Sequence, residues 1–351
     1  MLLLTKLQKN ASYPKRIVAS LILNIICFTF LALSTVLFRH VSTNGYFAFL
    51  MVMVFTASMA TGLCQNGIFA FVTGFGVGEY TQAIMTGQSV AGVLPCIAQI
   101  VSVLSVPDQD AKDGAVQESP KSAFAYFMTA TAVSALALVA FVYLARQHRD
   151  NSAAKRTVEG VDEAEEQEHT ERRVVGMRAL FKKLRWLALG VFLCFAVTMV
   201  FPVFAQEILS IRSPENSPRL FRPASFIPFA FLIWNAGDLV GRLTTLIAKL
   251  SLVHYPRTVF LISILRIVFI PLYLLCNIRG RGAVIASDFF YLIIVQFLFG
   301  LTNGYLGSTC MIGASQWVEA DEREAAGGFM GLMLVGGLTV GSLLSFLAAM
   351  V

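Results

Sequence analysis

Nine stretches of about twenty residues each, nearly free of charge, leave this chain few ways to fold. They run over residues 17–38, 46–72, 82–104, 122–144, 187–206, 224–248, 259–276, 289–312 and 327–350. An apolar helix of about 20 residues crosses the hydrocarbon core of a bilayer. Lipid offers the backbone no hydrogen-bond partners, so only helices and closed barrels can span it. A barrel requires short segments of about ten alternating residues, and the runs here are continuous. The sequence is 56% hydrophobic and 14% charged, where a soluble domain carries about 25% charge. The reading is an all-α polytopic membrane protein.

One hydrophilic stretch interrupts the pattern. Residues 146–184 hold an acidic block between Glu159 and Glu171, flanked by Arg146 and Arg149 on one side and Arg178, Lys182, Lys183 and Arg185 on the other. Low hydrophobicity and mixed charge predict a disordered linker. The expected organisation is a four-span N-terminal bundle (1–145), a charged linker (146–184) and a five-span C-terminal bundle (185–351). Lys and Arg concentrate on the cytosolic side of membrane proteins. The basic N-terminal flank (Lys6, Lys9, Lys15, Arg16) and both ends of the linker therefore face the cytosol. Four spans separate them, an even number, so the assignment agrees with itself. The acidic loop 106–121 and the C-terminus face the other way, and the sequon Asn10-Ala-Ser12 falls on the cytosolic side.

Polar residues inside the spans are the candidates for function. The sixth span contains FAFLIWNAGDLVGRLTT (229–245), with a carboxylate and a guanidinium at mid-span. At about 100° per residue, Asn235, Asp238 and Arg242 share one face, while Gly237 and Gly241 form a different flank where a neighbouring helix can approach. A charge at the bilayer centre costs about 2.5–3.5 kcal/mol even on lenient scales. Two such residues four apart suggest a mutually neutralising pair. It either faces a wet, ligand-binding cavity or locks two helices together. Gln65 and Asn66 sit within the second span, and the third opens with Gln82 and Gln88, followed by Pro95, which can free backbone carbonyls. Arg266 lies mid-span with no acid within a helical turn, so it bonds carbonyls of another helix, touches ligand or snorkels. Asn303 belongs to GLTNGY (300–305), and a glycine ladder from Gly327 to Gly341 reads as a packing face. Gln82, Gln88, Arg266 and Asn303 are read as cavity or gating residues. The charged stretch from Trp317 to Glu324 is a gate or anchor.

The remaining motifs exclude other classes. The six cysteines lie nearly all within spans with no CxxC spacing and read as packing residues. The four histidines have no metal-ligand spacing, HExxH and GxSxG are absent, and no GxxxxGK phosphate loop is present. The glycines of GFGVG (74–78) follow no strand and form a turn between spans. No enzyme, metal, cofactor or nucleic-acid partner is expected.

These residues together resemble one family. EYTQAIMTGQSVAGVLP (79–95), WNAGDLVGR (234–242), RIVFIPLYLLCN (266–277), GLTNGYLGSTCMIGA (300–314) and EREAAGGFMGLMLVGGL (322–338) are similar to segments of the equilibrative nucleoside transporters. The QNGIFAF wording (65–71) is similar to fungal members on internal membranes, which implies a vacuolar or other endomembrane location. The resemblance implies a major-facilitator-like two-bundle fold of six plus five helices, here four plus five, with the first two family helices lacking from this chain. It implies nucleoside transport, with nucleobases also open, by alternating access of the two bundles. Asp238 and Arg242 would bond the sugar hydroxyls with Asn235 beside them, and Gln65 or Asn66 would touch the base. The alternatives are a transport-incompetent fragment or a carrier of another polar solute such as a sugar. No titratable relay is visible, which leaves proton coupling open.

Overall fold

The computed structural model describes residues 12–37, 41–105, 120–159, 175–213 and 217–348. Among them, nine helical segments are long and apolar enough to cross a membrane, and each overlaps one of the nine runs read from the sequence. The helices are α1 (Tyr13–Leu37), α2 (Thr43–Gly74), α3 (Gly78–Ser105), α4 (Pro120–Glu159), α5 (Met177–Thr198), α6 (Val200–Glu207), α7 (Pro223–Thr244), α8 (Pro256–Leu265), α9 (Phe269–Leu274), α10 (Leu298–Gly313) and α11 (Arg323–Ala348).

Much of the expected linker is helical. Helix α4 continues to Glu159 and α5 begins at Met177, while 160–174 lies outside the described residues. The stretch after residue 146 is polar but rich in Ala, Arg and Lys, good helix formers, so polarity alone misjudged it. The loop 106–119 and the N-terminal sequon are also outside the described residues.

The chain forms two compact units, Met1–Phe71 with Ala115–Val175, and Val72–Gly114 with Gly176–Val351. In the first, α1 packs along α4. Gly67 lets α2 close on α1, because a Cβ there would lie 2.9 Å from Ile17 Cγ1. The rings of Phe71 and Phe141 meet edge to face at 5.9 Å.

The second unit contains α3 together with the C-terminal elements, so the third span packs on α7 and α10. Its tightest contact joins α7 and α10 through two GxxxG pairs. A Cβ on Gly237 would strike the carbonyl of Phe297, and one on Gly241 that of Leu301. Reciprocally, Gly300 faces the carbonyl of Trp234 and Gly304 that of Asp238. Small residues on both partners let the backbones touch, which side chains cannot do. Part of the C-terminal ladder does the same on α5, where Gly337 and Gly341 meet the carbonyls of Phe192 and Ala196.

Two spans depart from regular helix. The seventh tightens into a 3₁₀ turn at Arg266–Val268 between α8 and α9. Pro271 has no N–H for the carbonyl of Ile267, and its ring crowds that carbonyl. The eighth opens as a π-helix, Phe290–Phe297, before α10. It carries Gln296 into the interior, where its Oε1 accepts from Tyr273 (3.0 Å) and its Nε2 donates to Tyr291 (2.6 Å). Around them lies an aromatic core in which Phe201 stacks on Trp234 with ring centres 4.4 Å apart.

The turn between α2 and α3 is held by the charged stretch before α11. Gly76 takes φ +69°, and a Cβ there would strike the Arg323 guanidinium. The buried Glu322 accepts from Lys183 Nζ at 2.6 Å, so this stretch anchors helix ends to one another.

Candidate functional site

Asp238 and Arg242 sit one turn apart on α7, and Arg242 Nε donates to Asp238 Oδ2 at 2.8 Å. The pair is 2% and 5% exposed respectively. Three helices complete its surroundings. From α3, Ser89 Oγ donates to Asp238 Oδ2, while the Met85 carbonyl (2.6 Å) and Gln88 Oε1 (3.4 Å) accept from Arg242 Nη1. From α10, Asn303 Nδ2 donates to Asp238 Oδ1 at 2.7 Å. The glycines flanking Asn303 create this bond, since only their backbone-to-backbone contact brings an amide that short within reach of α7. No hydrogen bond to Arg242 Nη2 is formed among the described residues.

The network extends past the pair. The Thr198 hydroxyl on α5 lies 2.6 Å from Asn303 Oδ1 and accepts from Arg266 Nη2 at 3.2 Å. Arg266 Nη1 donates to the carbonyl of Cys194 at 2.6 Å and approaches its sulfur at 2.9 Å, and Nε donates to Thr302 Oγ1 at 3.2 Å. Its guanidinium carbon lies 4.7 Å from the centre of the Phe299 ring. Of the readings open for Arg266, the one found is capture by carbonyls and hydroxyls of neighbouring helices. Two guanidiniums and one carboxylate thus share a single buried chain of hydrogen bonds, Arg242–Asp238–Asn303–Thr198–Arg266.

Gln82 lies one to two turns from Ser89 on the same face of α3. Its Nε2 donates to the Arg242 carbonyl at 2.5 Å and its Oε1 accepts from Thr245 at 2.7 Å. It also lines a cleft of about 410 Å³ that reaches Glu79, Thr245, His254 and Gln316. Asn235 is turned to α3 at another level, its Nδ2 donating to the Phe231 carbonyl at 2.8 Å and its Oδ1 seated against Gly92. Gln65 and Asn66 belong to the first unit, where Asn66 Oδ1 accepts from Arg16 Nη1 at 2.7 Å.

The structure corrects two expectations. The wet cavity expected beside Asp238 is absent from this conformation: both carboxylate oxygens are engaged by protein donors. Cys194, read as a packing residue, lines the network. Sequence reasoning also passed over Ser89 and Thr198. Ser89 carried a signal, as it lies seven residues from Gln82 and therefore on the same face. Thr198 had none, because a lone threonine in an apolar span most often bonds its own helix, as Thr198 also does to Cys194.

Replacing Arg266 by Lys keeps the charge but loses the fork that serves carbonyl and hydroxyl at once. We expect a stability loss of about 1–3 kcal/mol, read as a lowered unfolding midpoint in detergent.

Comparison with known proteins agrees with the motifs. The profile of the Nucleoside transporter family matches residues 50–350. Nucleoside transporter FUN26 of Saccharomyces cerevisiae is 31% identical, over 97% of this chain and 71% of its own length. The chain belongs to the equilibrative nucleoside transporter family. Another member, rat equilibrative nucleoside transporter 1, is 29% identical over 97% of this chain and 77% of its own length. The fold of this nucleoside-transporter family member is that of the major facilitator superfamily. The crystal structure of FucP superposes with a TM-score of 0.52 at 15% identity, covering 98% of this chain and 78% of that one.

Proposed function

We propose that the chain carries nucleosides across a membrane by alternating access, with Asp238 and Arg242 reading the sugar hydroxyls. The observation that carries this reading is the state of the pair. The carboxylate is oriented by Arg242, Asn303 and Ser89, and Arg242 retains one terminal nitrogen, Nη2, without a protein partner. A carboxylate acceptor beside a guanidinium donor matches a vicinal diol, whose hydroxyls both donate and accept. In this reading the Ser89 and Gln88 contacts are placeholders that a sugar displaces when α3 withdraws from α7. Asn235 supports the site from α7, Gln65 or Asn66 contacts the base, and Gln82 belongs to the closing contacts at the α3–α7 end. The basic flanks and linker ends lie in the cytosol, and the membrane is vacuolar or another endomembrane.

Competition against uptake of labelled adenosine tests the reading. Losing hydrogen bonds to charged groups costs about 1.5–3 kcal/mol, so 2′,3′-dideoxyadenosine is expected to compete about 10–150-fold more weakly than adenosine. Equal competition removes Asp238 and Arg242 from sugar recognition, and free ribose competing as well as adenosine makes the solute a sugar.

A second reading is favoured by the full satisfaction of the Asp238 carboxylate. In it the pair is a structural lock between α3, α7 and α10. It expects adenosine to raise the unfolding midpoint of wild type and of Asp238→Asn equally, whereas the transport reading expects the shift to vanish in the variant.

A further inference from the structure

At the end of the second unit marked by Met177, Pro256 and Gln316, a cleft of about 540 Å³ opens between the start of α5, the start of α8 and the turn after α10. Four cations line it, Lys182, Lys183, Arg185 and Arg257, together with His254 and two of the chain's three tryptophans, Trp186 and Trp317. Lys183 is already neutralised by Glu322 at 2.6 Å and Glu319 at 3.5 Å. Lys182, Arg185 and Arg257 pair with no carboxylate among the described residues. Three charges of one sign stand together with nothing opposite them.

The cations are not loose. The indole of Trp186 holds both guanidiniums, with Arg185 Cζ at 5.0 Å and Arg257 Cζ at 6.0 Å from its centre. Its other neighbour is Phe260 at 5.3 Å. Trp317 is fixed by donation from Nε1 to the Val253 carbonyl at 3.1 Å. Guanidiniums held on an aromatic face present their remaining N–H groups as forks suited to phosphate oxygens. Tryptophans at this level of a membrane protein mark the headgroup region.

We propose that this cleft binds the headgroup of an anionic phospholipid bearing a phosphomonoester, the phosphoinositide class. Charge selects the headgroup. A plain phosphodiester brings one negative charge, whereas an added monoester brings about −1.5 to −2 more, which matches three unpaired cations. Apolar surface selects a lipid over a soluble phosphate. Arg257, Leu261 and Leu265 follow at i, i+4 and i+8 on one face of α8, with Leu261 59% and Leu265 68% exposed. That ridge leads from the cleft along the span, where acyl chains lie.

The test uses the full chain in neutral detergent and reads the thermal unfolding midpoint, so it does not depend on transport. The probes are dioctanoyl phosphatidylinositol 4-phosphate, dioctanoyl phosphatidylcholine and inositol 1,4-bisphosphate. The phosphoinositide is expected to raise the midpoint saturably, phosphatidylcholine to leave it unchanged, and the chain-free headgroup to act at least about tenfold more weakly. Each basic residue near an anionic surface contributes a factor of about five, so Arg185→Gln with Arg257→Gln weakens the phosphoinositide about 30-fold. Should that double variant not fold, Lys182→Glu, at an exposed position, is expected to weaken it by a similar factor. Undiminished stabilisation of the folded variant, or phosphatidylcholine matching the phosphoinositide, overturns the proposal. So does an inositol bisphosphate effect equal to the lipid's, which would make the ligand a soluble phosphate.

Discussion

Asp238→Asn reduces nucleoside uptake about 100-fold or more while protein abundance stays near that of wild type. The substitution preserves shape but not charge. Asp238 Oδ1 and Oδ2 accept from Asn303 and Arg242 respectively. A carboxamide has one oxygen, so one of those donors must face an NH₂ group. Hydrogen bonds to charged groups contribute about 1.5–3 kcal/mol each, and two of them set to the wrong partner account for the loss. The variant also leaves Arg242 and Arg266 on one buried network with no carboxylate. Asp238→Ala costs more, because breaking a buried ion pair by deleting one partner is destabilising by about 3–5 kcal/mol. Its abundance is expected to fall, which makes the isosteric variant the cleaner probe. Initial rates of labelled nucleoside uptake in a transport-null host, normalised to protein by immunoblot, decide the matter. Wild-type rates in Asp238→Asn would end the proposal that this carboxylate reads substrate.

The second large effect is on folding. Gly304→Ala sets a methyl group onto the Asp238 carbonyl, with the Arg242 amide 3.0 Å away. Neither is the end of a flexible side chain, so the helices themselves must separate. Overpacking costs about 1–3 kcal/mol even where side chains can adjust, and backbone atoms adjust less. The 2.7 Å bond from Asn303 to Asp238 is lost with the separation, so the unfolding midpoint and uptake fall together. Gly87→Ala is the control. No atom lies within 4 Å of a Cβ there, and alanine in a helix is favoured over glycine by about 0.5–1 kcal/mol. A rise for Gly87→Ala beside a fall for Gly304→Ala is the expected pair of results. A Gly304→Ala protein as stable as wild type would mean that α7 and α10 are not in backbone contact.

The spans were legible because lipid imposes one rule on every segment, and runs of twenty uncharged residues have few other uses. The Asp238–Arg242 contact was equally legible, since residues four apart on a helix meet whatever surrounds them. What the chain order hid is which helices face each other. Gly237 and Gly241 announced a close neighbour without naming it, and Gly300 and Gly304 carried the matching spacing some sixty residues later. Nothing in either segment says that they meet. The helical run from 146 to 159 was misjudged for a different reason: a polar segment and a disordered one differ in helix propensity, not in hydropathy. Thr198 and Cys194 stayed hidden because a single small polar side chain gives no periodic signal.

The two seams of α7 differ in kind. On α10 it is welded, main chain against main chain, through four glycines that leave no slack. On α3 it is fastened by side-chain tips, Gln82, Gln88 and Ser89, each a bond that water or a hydroxyl could replace. Whatever solute reaches Asp238 must therefore come through the α3 side, as a hinged panel opens at its latch and not along its rivets.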